Sequence, residues 1–196
     1  MKKQIFLPLK VSFIVVLFIF FQACKKDEVQ DTPDPVPTNA SSVKEETLKG
    51  VWNLASGVET GTSGTTYVVT YTGTMATISF SGQTNAYSYT EKLEFLNNDV
   101  FKCTIIEDGD LAISEGYWAF MNGYNGIADY DMLVIRLSSQ TSGGSTSTWA
   151  GDEMPVYILR FSKFTGNEII IVSDGTSVVG GSTSSFSSSK TYIKNP

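Results

Sequence analysis

Alternation of apolar and polar residues runs through most of the chain beyond residue 50. Tyr67, Val69 and Tyr71 share one parity. Tyr87, Tyr89, Leu93 and Phe95 share another, with Ser88, Thr90, Lys92 and Glu94 between them. Phe101, Cys103 and Ile105 alternate with Lys102 and Thr104, and Tyr157, Leu159 and Phe161 repeat the pattern. Successive side chains of a strand point to opposite faces, so a period of two marks strands with one buried face. Residues 51–54, 77–80, 111–121, 132–137, 168–172 and 191–193 supply further strands. Turn chemistry separates them at Asn97-Asn98-Asp99, at Asp108-Gly109 and at Thr165-Gly166-Asn167. Residues 122–131, 141–153 and 174–189 read as loops, the last two rich in Gly, Ser and Thr.

One helix is predicted ahead of the strands. Ser42-Val43-Lys44-Glu45 has the S-x-x-E form of a capping box, Glu46 to Lys49 continue it, and Gly50 can end it. No helical period falls between the strands. Roughly eight to ten strands joined by short turns predict an all-β antiparallel meander, which closes into a barrel and so removes its exposed edges. A two-sheet sandwich is the alternative.

The N-terminus is organised differently. Met1-Lys2-Lys3 and Lys10 precede an apolar run over residues 11–21, broken only by Ser12. A basic head and an apolar run of this length form a secretory signal peptide; a membrane span needs about 20 apolar residues. Phe21-Gln22-Ala23-Cys24 resembles a bacterial lipobox, with Phe21 where leucine is usual. The resemblance implies cleavage before Cys24 and attachment of diacylglycerol to that cysteine. Several acyl chains anchor stably where one does not. Residues 1–23 are therefore expected as signal peptide and 24–42 as lipidated cysteine and linker. The linker carries Asp31-Thr32-Pro33-Asp34-Pro35-Val36-Pro37-Thr38, which has nothing to bury. The Cys24-Lys25-Lys26-Asp27-Glu28 start resembles lipoproteins of Bacteroidetes-type bacteria. That implies the outer membrane, with either its periplasmic or its outer face as the location.

Charge narrows the partners. Loss of Lys2, Lys3 and Lys10 leaves 11 basic against 20 acidic residues, a net charge of −9 for the mature chain. No basic patch exists to reward phosphates, so nucleic acid is not an expected partner. With Cys24 lipidated, Cys103 is left alone and no intramolecular disulfide forms. Cys103 reads as a small buried hydrophobe, with a reactive thiol as the alternative.

The chain contains no histidine, which removes Ser-His-Asp and Cys-His catalysis and histidine metal sites. Carboxylate pairs remain, Glu91 with Glu94 or Glu107 with Asp110, but the acids are expected mostly on solvated strand faces and turns. Asp108-Gly109-Asp110 and Asp129-Tyr130-Asp131 lack the spacing of a calcium loop and read as turns. Gly143-Gly144 and Gly180-Gly181 lack the lysine and helix start of a phosphate loop and read as flexible connections. No enzyme activity, cofactor or metal is expected. The aromatic residues either line a cavity or fill the barrel core. Trp52, Tyr87, Tyr89, Trp118 and Tyr157 are the candidates for contacting a ligand. Trp149 lies in a polar stretch, as a binding platform or folded back over the barrel mouth.

Leu48-Lys49-Gly50-Val51-Trp52-Asn53-Leu54 resembles the helix-then-G-x-W entry of lipocalin-like domains in bacterial lipoproteins. Glu115-Gly116-Tyr117-Trp118-Ala119-Phe120 resembles their second glycine-aromatic strand. Tyr157 to Phe161, the following turn with Glu168 to Ile171, and Lys190 to Lys194 resemble their late hairpin and closing strand. The resemblance spans residues 43–196 and implies an up-and-down β-barrel of about eight strands, with Trp52 plugging its closed end. The resemblance implies no particular ligand; with the candidate cavity-lining aromatics, the expectation is a lipid-anchored envelope protein whose barrel holds a small apolar or amphipathic ligand. The alternative is a non-enzymatic accessory protein with a filled core, meeting an envelope protein partner through its loops.

Overall fold

In the computed structural model, residues 39–63, 65–120, 132–179 and 182–196 are described. The signal peptide, Cys24, the linker up to residue 38 and the predicted loop at 122–131 lie outside the described residues, while residues 39–42, expected as the end of the linker, are helical. The described residues are mostly strand, preceded by one helix, α1 (Asn39–Leu48). The helix starts three residues ahead of the predicted cap, so Ser42 is inside it. Ala40, the strongest helix former, supports that earlier start. Leu48 is fully buried and accepts a hydrogen bond of 2.7 Å from the Trp52 indole. Gly50 then turns the chain into the first strand at φ +130°, a region open to glycine.

The described strands are β1 (Gly50–Ser63), β2 (Thr65–Tyr71), β3 (Met75–Phe80), β4 (Gln83–Phe95), β5 (Val100–Glu107), β6 (Asp110–Phe120), β7 (Met132–Ser142), β8 (Ser145–Thr148), β9 (Val156–Phe164), β10 (Glu168–Val179) and β11 (Ser182–Lys194). All pairings are antiparallel, and β1 joins β11 while β6 joins β7 through β9 to β10, which closes the sheet. The sandwich alternative is thereby set aside. Ten strands form the barrel, and β8 is a short extra strand on β7. The expected number, about eight, needs correcting in an informative way.

β1 has two neighbours on the same side. Gly50 to Asn53 pair with Phe95 to Lys92 of β4, whereas Gly57 to Ser63 pair with Tyr71 to Thr65 of β2. The β2–β3 hairpin is thus a wedge between β1 and β4. Its turn is seated by Tyr89 N–H donating to the Thr74 carbonyl at 3.0 Å. Traced through β1–β4, the ring at the base has eight strands; traced through the wedge it has ten. Barrel width grows with strand number, and eight strands leave just enough interior for side chains to fill.

The base is filled. Phe95 meets Phe101 at 5.5 Å and Trp118 at 5.7 Å between ring centroids, and Trp118 meets Phe120 at 6.3 Å. Phe120, Phe161 and Phe164 continue the chain of tilted and edge-on rings. Trp52, Leu133 and Ile169 are fully buried beside them.

Two of the expected loops are hairpins. Residues 141–153 hold the end of β7, β8 and a 3-10 turn; residues 174–189 hold most of the β10–β11 hairpin. Ser and Thr suit strands solvated on both faces, and cross-strand hydroxyl pairs such as Thr141 with Thr146 at 2.9 Å tie them. Gly143 and Gly144, both at positive φ, form a tight hairpin turn of the primed type. Asp108 and Gly109 do the same, as the sequence predicts. Trp149 folds back and packs against the core.

Trp52→Ala is expected to cost about 3–5 kcal/mol in urea unfolding, since it empties the filled base. Tyr117→Ala, on the outer face, should stay within about 0.5 kcal/mol of the parent.

Candidate functional site

Above the filled base the barrel is hollow. A cavity of about 500 Å³ lies over Leu93, Phe101, Ile135, Leu137 and Ile171, with Cys103, Ile105 and Leu159 in its walls. Its opposite side carries Glu59, Glu91, Tyr67, Lys190 and Tyr192. Two local features of β1 create this polar side. A bulge between Leu54 and Ser56 shifts the register, so Trp52 and Leu54 face inward and so does Glu59 beyond it. Glycines then stand opposite the large side chains. Gly57 pairs with Lys190 and Gly61 with Tyr67. A Cβ on Gly57 would sit 2.9 Å from the lysine Cγ and 3.0 Å from the Ser189 carbonyl oxygen; one on Gly61 would sit 2.4 Å from the Tyr67 ring.

Glu91 is the hub of the cluster. Its Oε2 accepts hydrogen bonds from Lys190 Nζ at 2.6 Å and Tyr89 Oη at 2.7 Å, and its Oε1 accepts one from Tyr192 Oη at 2.6 Å. The ammonium also lies 4.6 Å from the centre of the Tyr71 ring. Burial alone would push the Glu91 carboxyl up, but the Lys190 ammonium and the three hydrogen bonds override it and hold the carboxyl below its ordinary value. For Lys190, burial acts downward and Glu91 more than offsets it, so its pKa is raised.

Glu59 is held differently. It is only 4% exposed, and its donors are Tyr67 Oη at 3.3 Å and Tyr71 Oη at 3.5 Å, both long for hydroxyl donors. Burial raises its pKa, which Lys190 counteracts only in part. Burial and the neighbouring carboxylate push the Tyr67 hydroxyl up to about 12, so it remains a donor at neutral pH. The Cys103 thiol is pushed up by burial, which suits the reading of a small hydrophobe over that of a reactive thiolate.

The cavity wall is incomplete on one flank. Among the described residues the β9–β10 ladder runs from Arg160 to Phe164 and does not extend to Val156, Ile158 or Leu159. Ile158, Arg160 and Asp174, which line this slot, also border the cavity. Arg160 and Asp174 form an ion pair across it.

Of the five candidate aromatic residues, Tyr157 lines the cavity. Tyr89 faces inward without lining the cavity and donates to Glu91, and Tyr87 packs edge-on against Tyr89 at 6.5 Å. Trp52 and Trp118 belong to the base. The expectation that the acids are solvated needs correcting for two of them. Glu91 shares the inward parity of Tyr89 and Leu93, and that parity is its signal in the sequence. Glu59 has no such signal, because the bulge changes the parity of β1. Glu94 faces outward to Lys92 at 2.9 Å, and Glu107 pairs with Asp110 beside the hairpin turn. Neither forms a carboxylate pair with a cleft between its members.

Fold and site together define a closed β-barrel with a filled base and a hollow, charged upper half. No protein-family model matches the chain, and no curated protein matches it significantly.

Glu91→Gln leaves Lys190 buried without its counter-charge and is expected to cost about 3–5 kcal/mol at pH 7. Because the Glu91 carboxyl lies below its ordinary value when folded, its contribution is present above the ordinary carboxyl range and disappears as pH falls through the folded pKa. The gap between parent and variant should therefore close in acid. Glu59 has the opposite sign: a raised pKa means that ionising it opposes folding as pH rises. Glu59→Gln should thus melt at or above the parent temperature at pH 7, measured by thermal circular dichroism.

Proposed function

We propose that this protein is a lipid-anchored lipoprotein of the outer membrane whose lipocalin-like barrel binds a small apolar or amphipathic ligand. The observation that carries the reading is the cavity of about 500 Å³ with an apolar floor and one charged side. Ligand sites are concave, mostly apolar, and carry a few well-placed polar groups, with volumes of about 300–1,000 Å³. A side-chain-filled interior would have removed the reading; only the base is filled. The eight-strand ring at that base, entered from α1 through Gly50 and Trp52, supports the lipocalin-like assignment. The slot between β9 and β10 is the entry route, bordered by the exposed apolar Val156 and Ile158.

The anchor rests on the lipobox-like Phe21-Gln22-Ala23-Cys24 and the acidic, proline-rich tether after it. The protein acts by holding a ligand near the membrane, without catalysis. An accessory role through long loops has less support, because residues 141–153 and 174–189 are largely hairpin.

N-phenyl-1-naphthylamine, an apolar dye whose fluorescence rises out of water, tests the reading. The parent should bind it, and Ser114→Phe, which places a ring inside the cavity, should weaken binding at least about tenfold, equivalent to ~1.4 kcal/mol. Equal binding by parent and variant would place the dye elsewhere and remove the cavity as the binding site.

A further inference from the structure

The charges around the cavity do not cancel. Its lining contains three carboxylates, Glu59, Glu91 and Asp174, and two cations, Arg160 and Lys190. Lys190 is bound to Glu91 and Arg160 to Asp174. Among the described residues Glu59 is the lining charge with no ion pair of its own, at 4% exposure.

Its hydrogen bonding is equally incomplete. An ionised carboxylate has about four lone-pair sites. Glu91 fills its oxygens with three donors at 2.6–2.7 Å. Glu59 has phenol donors at 3.3 and 3.5 Å only. It is therefore a buried acceptor with spare capacity, bordering a space large enough for a ligand. One aromatic residue of the lining stands beside it: Tyr67, paired with Gly61 one step further along β1, donates to Glu59 and lines the cavity, whereas the Phe186 ring lies over Gly175 of β10.

We infer that Glu59 receives the head group of the ligand, and that the ligand is an amphiphile with a protonated amine on an apolar body. This rests on the reading of the barrel as a ligand carrier and names the class of ligand. An ammonium group supplies three donors and the missing positive charge together, and charge-assisted bonds are the stronger kind. The Tyr67 ring beside it adds cation–π attraction. A neutral hydroxyl fills a lone pair and leaves the charge uncompensated. A carboxylate or phosphate head would place a further anion beside Glu59 and Glu91, with the one ammonium nearby already engaged. The apolar floor at Leu93, Phe101, Ile135 and Leu137 receives the body in every case. The preferred order is amine over alcohol over acid.

Isothermal titration of the full-length protein with 1-octylamine, 1-octanol and octanoate tests this order at constant chain length. Each titration into protein-free buffer is subtracted. Octylamine should bind at least about tenfold tighter than octanol, and octanoate should bind weakest. Glu59→Gln, near-isosteric and checked for fold by circular dichroism, should lose about tenfold in octylamine affinity while octanol changes little. Octanoate binding as tightly as octylamine, or Glu59→Gln binding octylamine undiminished, would overturn the head-group assignment while leaving the carrier reading in place. No binding by any of the three would overturn both. The ranking on the parent protein needs no variant, so a misfolded Glu59→Gln could not obscure the outcome.

Discussion

A strand edge can hydrogen-bond to one neighbour at each point along its length, and β1 is long enough to have two in succession. Near the helix its edge is taken by β4; beyond the bulge it is taken by β2. Everything else in the molecule follows from that change of partner. At the base eight strands close around Trp52, Trp118 and a chain of phenylalanines, with no room left over. The wedge of β2 and β3 adds two strands above, and the circumference grows faster than the side chains available to fill it. The cavity is the geometric remainder.

The hollow half is held open by a charged hub rather than by packing. Lys190 and Glu91 are nearly out of water, and each is tolerable only because the other is there. Tyr89 and Tyr192 complete the coordination of the carboxylate. The glycines opposite are part of the same design, since Gly57 makes the space through which the lysine stem crosses the sheet. Glu59, by contrast, opposes stability as it ionises. A residue that costs stability while facing a cavity is the pattern of a binding group, because a ligand can supply what the fold withholds.

The strands were legible wherever one face is apolar and the other polar. The span of β9 and the inward parity of Phe101 and Cys103 can be read directly from alternation, as can the turn at Asp108 and Gly109. The β10–β11 hairpin is hidden because its outer part is mostly Ser, Thr and Gly, with Val178, Val179 and Phe186 too few and too irregularly spaced to show alternation. The site was less legible than the fold. Glu91 sits in the inward register of β4, so its burial follows from the sequence once parity is applied to acids as well as to apolar residues. Glu59 depends on a one-residue bulge, and Lys190 on a pairing with Gly57 across 133 positions of chain. Neither has a local signature. The aromatic residues that stand out in the sequence, Trp52 and Trp118, are the filling of the base, while Glu59 and Lys190 lie in Ser-, Thr- and Gly-rich stretches.

The central claim is that two glutamates inside one barrel occupy opposite electrostatic situations, one satisfied and one not. Carbon-13 NMR titration of the glutamate side-chain carboxyls reads this directly. Glu91 should remain ionised below the ordinary carboxyl range, and Glu59 should take up its proton above it. If both carboxyls titrate together at the ordinary value, the upper barrel is open to water, Lys190 does not hold Glu91, and the account of a buried, charge-selective cavity is wrong.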